Sequence, residues 1–158
     1  MRAEYINPFI RSISNTFDTM LGCQITRGTI FSASDKTNFH EVSGVIGLSG
    51  MAAGMVIVSM SKEVALKAAS TMLMTEYTEI NEDVIDAAGE ITNMVAGAAK
   101  AELEEYNLSI GLPNVITGDT HQIQFASNVT PICVPFDTPW GNVLLEVGLE
   151  VVSTPTPS

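Results

Sequence analysis

The stretch that most constrains how this chain can fold runs from Ile80 to Tyr106, I-N-E-D-V-I-D-A-A-G-E-I-T-N-M-V-A-G-A-A-K-A-E-L-E-E-Y. It carries agreeing helix-start signals. Asn81 can cap the first free amides, Glu82 and Asp83 put negative charge at the positive end of the helix dipole, and Ile80 and Ile85 occupy the two positions of a hydrophobic staple. At ~100° per residue, Val84, Ala88, Ile91, Val95, Ala98 and Ala99 fall on one apolar face. Asp86, Gly89, Glu90, Asn93 and Gly97 collect on the opposite face, which is polar but unusually small. A face that met only water would tend to carry longer side chains, because glycine inside a helix costs ~1 kcal/mol relative to alanine. Gly89 and Gly97 therefore suggest that room beside Glu90 and Asn93 is kept clear for a partner.

Glu90 and Asn93 are three residues apart and leave a helix as neighbours, so both can enter one pocket on a partner. The spacing alone decides little, since Glu-x-x-Asn also occurs at Glu4/Asn7 and Glu104/Asn107. Asn7 precedes Pro8 and is expected to cap a helix with proline at its first position. Asn107 is expected to end the long helix, where asparagine tolerates the left-handed turn. Only the middle pair is predicted to lie mid-helix on a cleared face.

The rest of the chain frames that helix. An N-terminal helix is expected to bury Phe9, Ile10, Ile13, Phe17, Met20 and Leu21 and to end at Gly22. Cys23 to Phe31 reads as a strand, followed by a two-stranded unit within Phe39 to Met60, which together predict a three-stranded start. Val42 to Ser61 holds no charge for twenty residues, near the ~20 that span a bilayer. Its glycines and the alternation through Val42, Gly44, Ile46 and Leu48 favour a buried hairpin instead, with its second strand at Met55 to Met60. Ser61 should cap a second helix whose Val64, Ala65, Ala68, Met72 and Leu73 face inward. Short apolar runs follow at Leu108 to Ile110 and Val115 to Thr117. Thr130 to Phe136 and Val143 to Val152 read as a hairpin joined by D-T-P-W-G-N, and residues 153–158, S-T-P-T-P-S, as a disordered tail. The expected fold is α+β, a mainly antiparallel sheet with packed helices, in a single domain over residues 1–152.

With 7 Lys plus Arg against 18 Asp plus Glu and a formal net charge of −11, clustered phosphate-backbone contacts are not available, which argues against nucleic acid. Cys23 and Cys133 have neither Cys-x-x-Cys nor zinc-type spacing and read as buried thiols in a reducing compartment. With no secretory signal pattern at the N-terminus, a cytoplasmic location is expected. His40 and His121 are isolated. No metal site on this chain, no nucleophile elbow, no phosphate-binding Gly-Lys-Ser/Thr loop and no Cys-x5-Arg loop is evident, so a self-sufficient hydrolase site is not expected.

The segment D-A-A-G-E-I-T-N-M-V-A-G, together with M-R-A-E-Y-I-N-P-F-I and G-V-I-G-L-S-G-M-A-A-G-M-V-I-V-S-M, resembles the CheC/CheX/FliY family of chemotaxis phosphatases and within it the CheX type. The resemblance extends from Met1 to about Val152, although Pro113 follows Asn93 sooner than the family's downstream proline. It implies a CheC/CheX-like layered domain and an activity on the aspartyl phosphate of a phosphorylated CheY-like response regulator. Glu90 would anchor the helix in the receiver's site and Asn93 would orient the attacking water; Asp86, Gly89 and Gly97 are expected to meet the partner because they share the cleared helix face. Magnesium is expected in the receiver and no cofactor on this chain. A homodimer is expected from the family and from long uncharged strands that would be hazardous as free edges. The alternative is a non-catalytic flagellar-switch or signalling scaffold of the same fold that binds a response regulator.

Overall fold

Helix α1 covers Ala3–Leu21 in the computed structural model, which describes residues 3–35, 39–118, 123 and 130–152. It begins earlier than expected, so Asn7 is not its cap and Pro8 sits inside it. The helix accepts proline there at the cost of one ladder bond, while Tyr5, Ile6, Phe9, Ile13, Phe17 and Leu21 are buried. Ile10 is half-buried and Met20 exposed, so the predicted stripe is narrower at its edges. Gly22, at φ 60°, makes the left-handed turn that ends the helix.

The strand expected from Cys23 to Phe31 exists only as β1 (Thr26–Arg27) and β2 (Phe31–Ser32). Both pair with β7 (Ile132–Thr138), and between them the Gly28 amide donates to the Pro135 carbonyl at 2.8 Å. A Cβ on Gly28 would stand 3.1 Å from the Pro135 ring, so the chain presses on β7 where a regular ladder is broken. Strands β3 (Val42–Ser49) and β4 (Ala52–Met60) form the uncharged hairpin, which turns at Gly50 and Met51. The second strand starts three residues before the Met55 expected from composition, because Ala52, Ala53 and Gly54 pair with β8 (Gly141–Val151). Helix α2 spans Lys62–Leu73 and α3 spans Glu82–Ala101, and β5 (Ser109–Ile110) and β6 (Asn114–Thr117) both pair with β3.

Among the described residues the sheet has eight strands in the order β1-β7-β8-β4-β3-β5, with β2 also on β7 and β6 also on β3. The first strand segments thus lie at the opposite edge from β3, and a three-stranded start does not form. The uncharged strands are interior: β4 lies between β3 and β8, and β5 and β6 line the outer side of β3.

Alternation along the strands buries both faces. Val42, Ile46, Val56, Val58, Val134, Phe136, Leu145 and Val147 join the core built with the helices. Val45, Ile57, Cys133 and Leu144 point to the other face, where Phe39 covers them. On that second face the Cys133 thiol donates to Glu146 Oε1 at 3.0 Å, and the Ser43 and Ser59 hydroxyls pair at 2.8 Å. These polar groups are matched across adjacent strands, as burial requires. Both cysteines are buried thiols, as expected.

Candidate functional site

Helix α3 starts where the sequence signals put it. The Asn81 side chain accepts from the Val84 amide at 3.1 Å, and Tyr77 donates its hydroxyl to Asp83 Oδ2 at 2.8 Å beside that first turn. Val84, Ala88, Ile91, Val95 and Ala99 are buried, whereas Ala98 is exposed. The helix stops at Ala101, earlier than the apolar pattern suggested, and a separate 3-10 turn spans Glu104–Tyr106. Asn107 does adopt the left-handed conformation, but it closes this later turn.

Three contacts clamp α3 to the sheet and to α1. Gly44 on β3 lies so close beneath it that a Cβ there would fall 1.9 Å from Thr92 Oγ1. The buried Thr92 hydroxyl returns to the Ala88 carbonyl at 2.8 Å, and Ser12 of α1 donates to the Val95 carbonyl at 2.6 Å. At the helix end, Arg11 reaches Glu102 at 2.7 Å, though as an exposed pair it adds little to stability. Sequence reasoning assigned Gly44 only to strand alternation and did not single out Thr92; the absent side chain directly under a helix was the available signal.

The outward face of this anchored helix carries Asp86 and Glu90 exposed, and Asn93 and Gly97 half-buried. The Glu90 and Asn93 side chains make no hydrogen bond or ion pair among the described residues. Gly89 departs from the expectation of an open position. It is buried, because Pro113 and Val115 occupy its missing side chain's surroundings, with a built Cβ 3.6 Å from Pro113 Cγ and 3.5 Å from Val115 Cγ2. The room at Gly89 is filled by the chain itself. Gly97 is the reverse case: beyond its own helical turn, no described residue comes within 4 Å of a Cβ placed on it. It borders a shallow cleft of about 500 Å³ lined also by Lys100, Glu104, Asn107 and Ser109.

The other two Glu-x-x-Asn pairs are placed differently. Glu4 and Asn7 lie in the first turns of α1, while Glu104 and Asn107 belong to the 3-10 turn and its left-handed end, so neither is displayed from the middle of a long helix. A larger groove, about 810 Å³, runs between α2 and the β7–β8 turn past Tyr77 and Trp140, away from the predicted pair. Among the described residues no group of three or more His, Cys, Asp or Glu side chains converges as a metal site would. His40 is half-buried, and burial pushes its imidazole below the ordinary value, against a smaller opposing effect of Glu41. His121 and residues 153–158 lie outside the described residues. Among those described, no helix is long and apolar enough to cross a membrane.

Residues 42–137 match the family described as chemotaxis phosphatase CheX. The chain belongs to this family. It is 33% identical over 121 residues to the CheY-P phosphatase CheX of Thermotoga maritima, covering 75% of this chain and 78% of that one. The CheX family member from Vibrio vulnificus, solved by crystallography, has the same fold with a TM-score of 0.87 and 33% identity over 94% of this chain and 100% of that one. A crystallised complex of CheX with CheY, BeF3 and magnesium from Borrelia burgdorferi aligns at a TM-score of 0.77 and 25% identity, covering 94% of this chain and 99% of that one. The matched region contains the β3–β4 hairpin and the whole of α3, and the CheX fold accounts for the α+β architecture.

Proposed function

We propose that this CheX family member hydrolyses the aspartyl phosphate of a CheY-like response regulator by inserting Glu90 and Asn93 into the receiver's active site. One observation carries the choice of residues: both side chains stand on the outward face of a helix clamped from beneath, without partners among the described residues. Support for the substrate comes from the Thermotoga maritima relative, named a CheY-P phosphatase, and from the Borrelia burgdorferi complex, in which CheX is bound to CheY.

Phosphoryl transfer needs positioning and charge stabilisation more than covalent chemistry from the enzyme. The receiver brings the aspartyl phosphate, magnesium and a lysine. The Asn93 amide oxygen accepts a hydrogen bond from the attacking water, which orients a lone pair of the water oxygen toward phosphorus; the water's protons leave on the phosphate. A bond forms between the water oxygen and phosphorus, the bond from phosphorus to the aspartyl oxygen breaks, and the aspartate leaves as carboxylate with inorganic phosphate released. The Glu90 carboxylate pairs with the receiver's lysine and sets the depth at which the amide enters. Asp86 and Gly97 border the contact. No cofactor on this chain enters the scheme, and metal analysis of the purified chain should find no stoichiometric metal.

The test follows loss of phosphate from a phosphorylated receiver. Asn93→Ala should cost at least ~10²-fold in rate, the scale on which misplacement by about 1 Å is felt, with docking retained. Glu90→Ala should weaken association instead, and added receiver should recover part of the activity. Full turnover by Asn93→Ala would overturn the assignment. A homodimer belongs to the same proposal on family grounds alone, because the uncharged strands lie inside the sheet and offer no free edge. Sedimentation at micromolar concentration measures it.

A further inference from the structure

The loop between β5 and β6, Gly111-Leu112-Pro113-Asn114, is held at three points. The Gly111 amide donates to the Gly47 carbonyl at 3.0 Å, Asn114 pairs with Val45 on β3, and Pro113 packs on Gly89 of α3. Leu112 sits within this fixed frame and is 88% exposed. Pre-proline position biases it toward extended backbone, but no turn requirement asks for leucine there. Single exposed apolar residues are ordinary on protein surfaces. Met74, 92% exposed at the left-handed end of α2, is one of these and flanks the groove by Trp140.

Leu112 differs from Met74 in what its loop is fastened to. Gly89, the residue under Pro113, immediately precedes Glu90 and lies one helical turn before Asn93. Pro113 seats the loop on α3 through Gly89, with 3.5–3.7 Å between a Cβ placed there and Val115 and Pro113, so the exposed Leu112 is the chain neighbour of the residue that packs next to Glu90. A carboxylate and an amide that enter a receiver pocket offer charge and hydrogen bonds but no apolar area. Binding interfaces combine such polar groups with a desolvated apolar contact.

We infer that Leu112 is the apolar anchor of the receiver-docking surface, packing against the receiver's surface next to its phosphorylation site while Glu90 and Asn93 enter it. This rests on the proposed receiver phosphatase reading. Leu112 touches no reacting group and acts through docking, so it should govern KM and partner choice and leave the chemical step alone.

The test is steady-state dephosphorylation of a phosphorylated CheY-like receiver by the full chain and by Leu112→Ser, Leu112→Met and Met74→Ser. Loss of one buried leucine contact should raise KM on the order of tenfold for Leu112→Ser, with kcat at saturating receiver unchanged. Leu112→Met should restore most of the affinity, and Met74→Ser should match the parent. Melting temperatures should stay equal across the set. A KM for Leu112→Ser equal to the parent's, in an active parent protein, would overturn the anchor and leave the phosphatase reading standing. A fall in kcat without a change in KM would also overturn it. An inactive parent, or one indifferent to Asn93→Ala, would instead remove the reading on which the anchor depends.

Discussion

Gly97 is the place where stability and docking should pull apart, and Gly97→Ala measures both. The residue lies inside α3, and beyond its own helical turn a Cβ placed on it meets no described residue within 4 Å. Replacing glycine by alanine there adds no clash and removes the backbone entropy that glycine loses on folding, a gain of about 0.8–1 kcal/mol. With an unfolding entropy of ~2.1 cal/mol/K per residue, a domain of this length loses roughly 0.3 kcal/mol of stability per degree near its midpoint, so the gain corresponds to about 3 °C. Thermal unfolding by circular dichroism would resolve that shift. In the dephosphorylation assay Gly97→Ala should be mildly impaired, and Gly97→Leu strongly, through weaker binding. A lowered melting temperature for Gly97→Ala would refute the open-space account of that position. Unchanged binding by Gly97→Leu, with the fold intact, would mean that no partner approaches the helix there.

Gly44→Ala should destabilise by about 1–3 kcal/mol or prevent folding, since overpacking of that order follows when a Cβ must displace the buried Thr92 side chain, and Thr92→Ala should relieve only part of it in thermal melts. Asn81→Ala should cost ~1 kcal/mol by leaving the Val84 amide without its cap, seen as a lower denaturant midpoint at constant slope. Burial lowers the His40 pKa, so the unfolded chain takes up a proton at higher pH than the fold does; stability should fall as pH drops below the ordinary imidazole value of ~6.5, and His40→Gln should flatten that part of a stability-against-pH profile.

Local signals suffice where one segment supplies both partners of an interaction. Ser61 accepts from Val64 and Asn81 from Val84, each three residues away, and the two long hairpins follow from alternation and turn residues. What local patterns missed depends on distant strands. Cys23 to Phe31 looks strand-like throughout, yet whether it forms one strand is decided by Pro135, more than a hundred residues later, against which Gly28 packs. The β1 and β2 segments also reach the far edge of the sheet because β7 and β8 intervene, and no periodicity within them encodes that order.

The same distinction applies to the candidate site. The helical period correctly separated the buried Val84, Ile91 and Val95 from the exposed Asp86 and Glu90, because both sets belong to one helix. It could not separate the two glycines of the outer face, which have the same local chemistry and opposite uses. Pro113 and Val115 close over Gly89, whereas Gly97 stays open, and only the path of the β5–β6 loop distinguishes them. That loop can reach Gly89 because β6 pairs with Val42 to Val45 on β3, the strand whose Gly44 brings α3 down onto the sheet. One strand therefore sets both the depth of the helix and the position of the loop beside it, so Glu90, Asn93 and Leu112 are placed relative to one another by β3, although none of the three belongs to it.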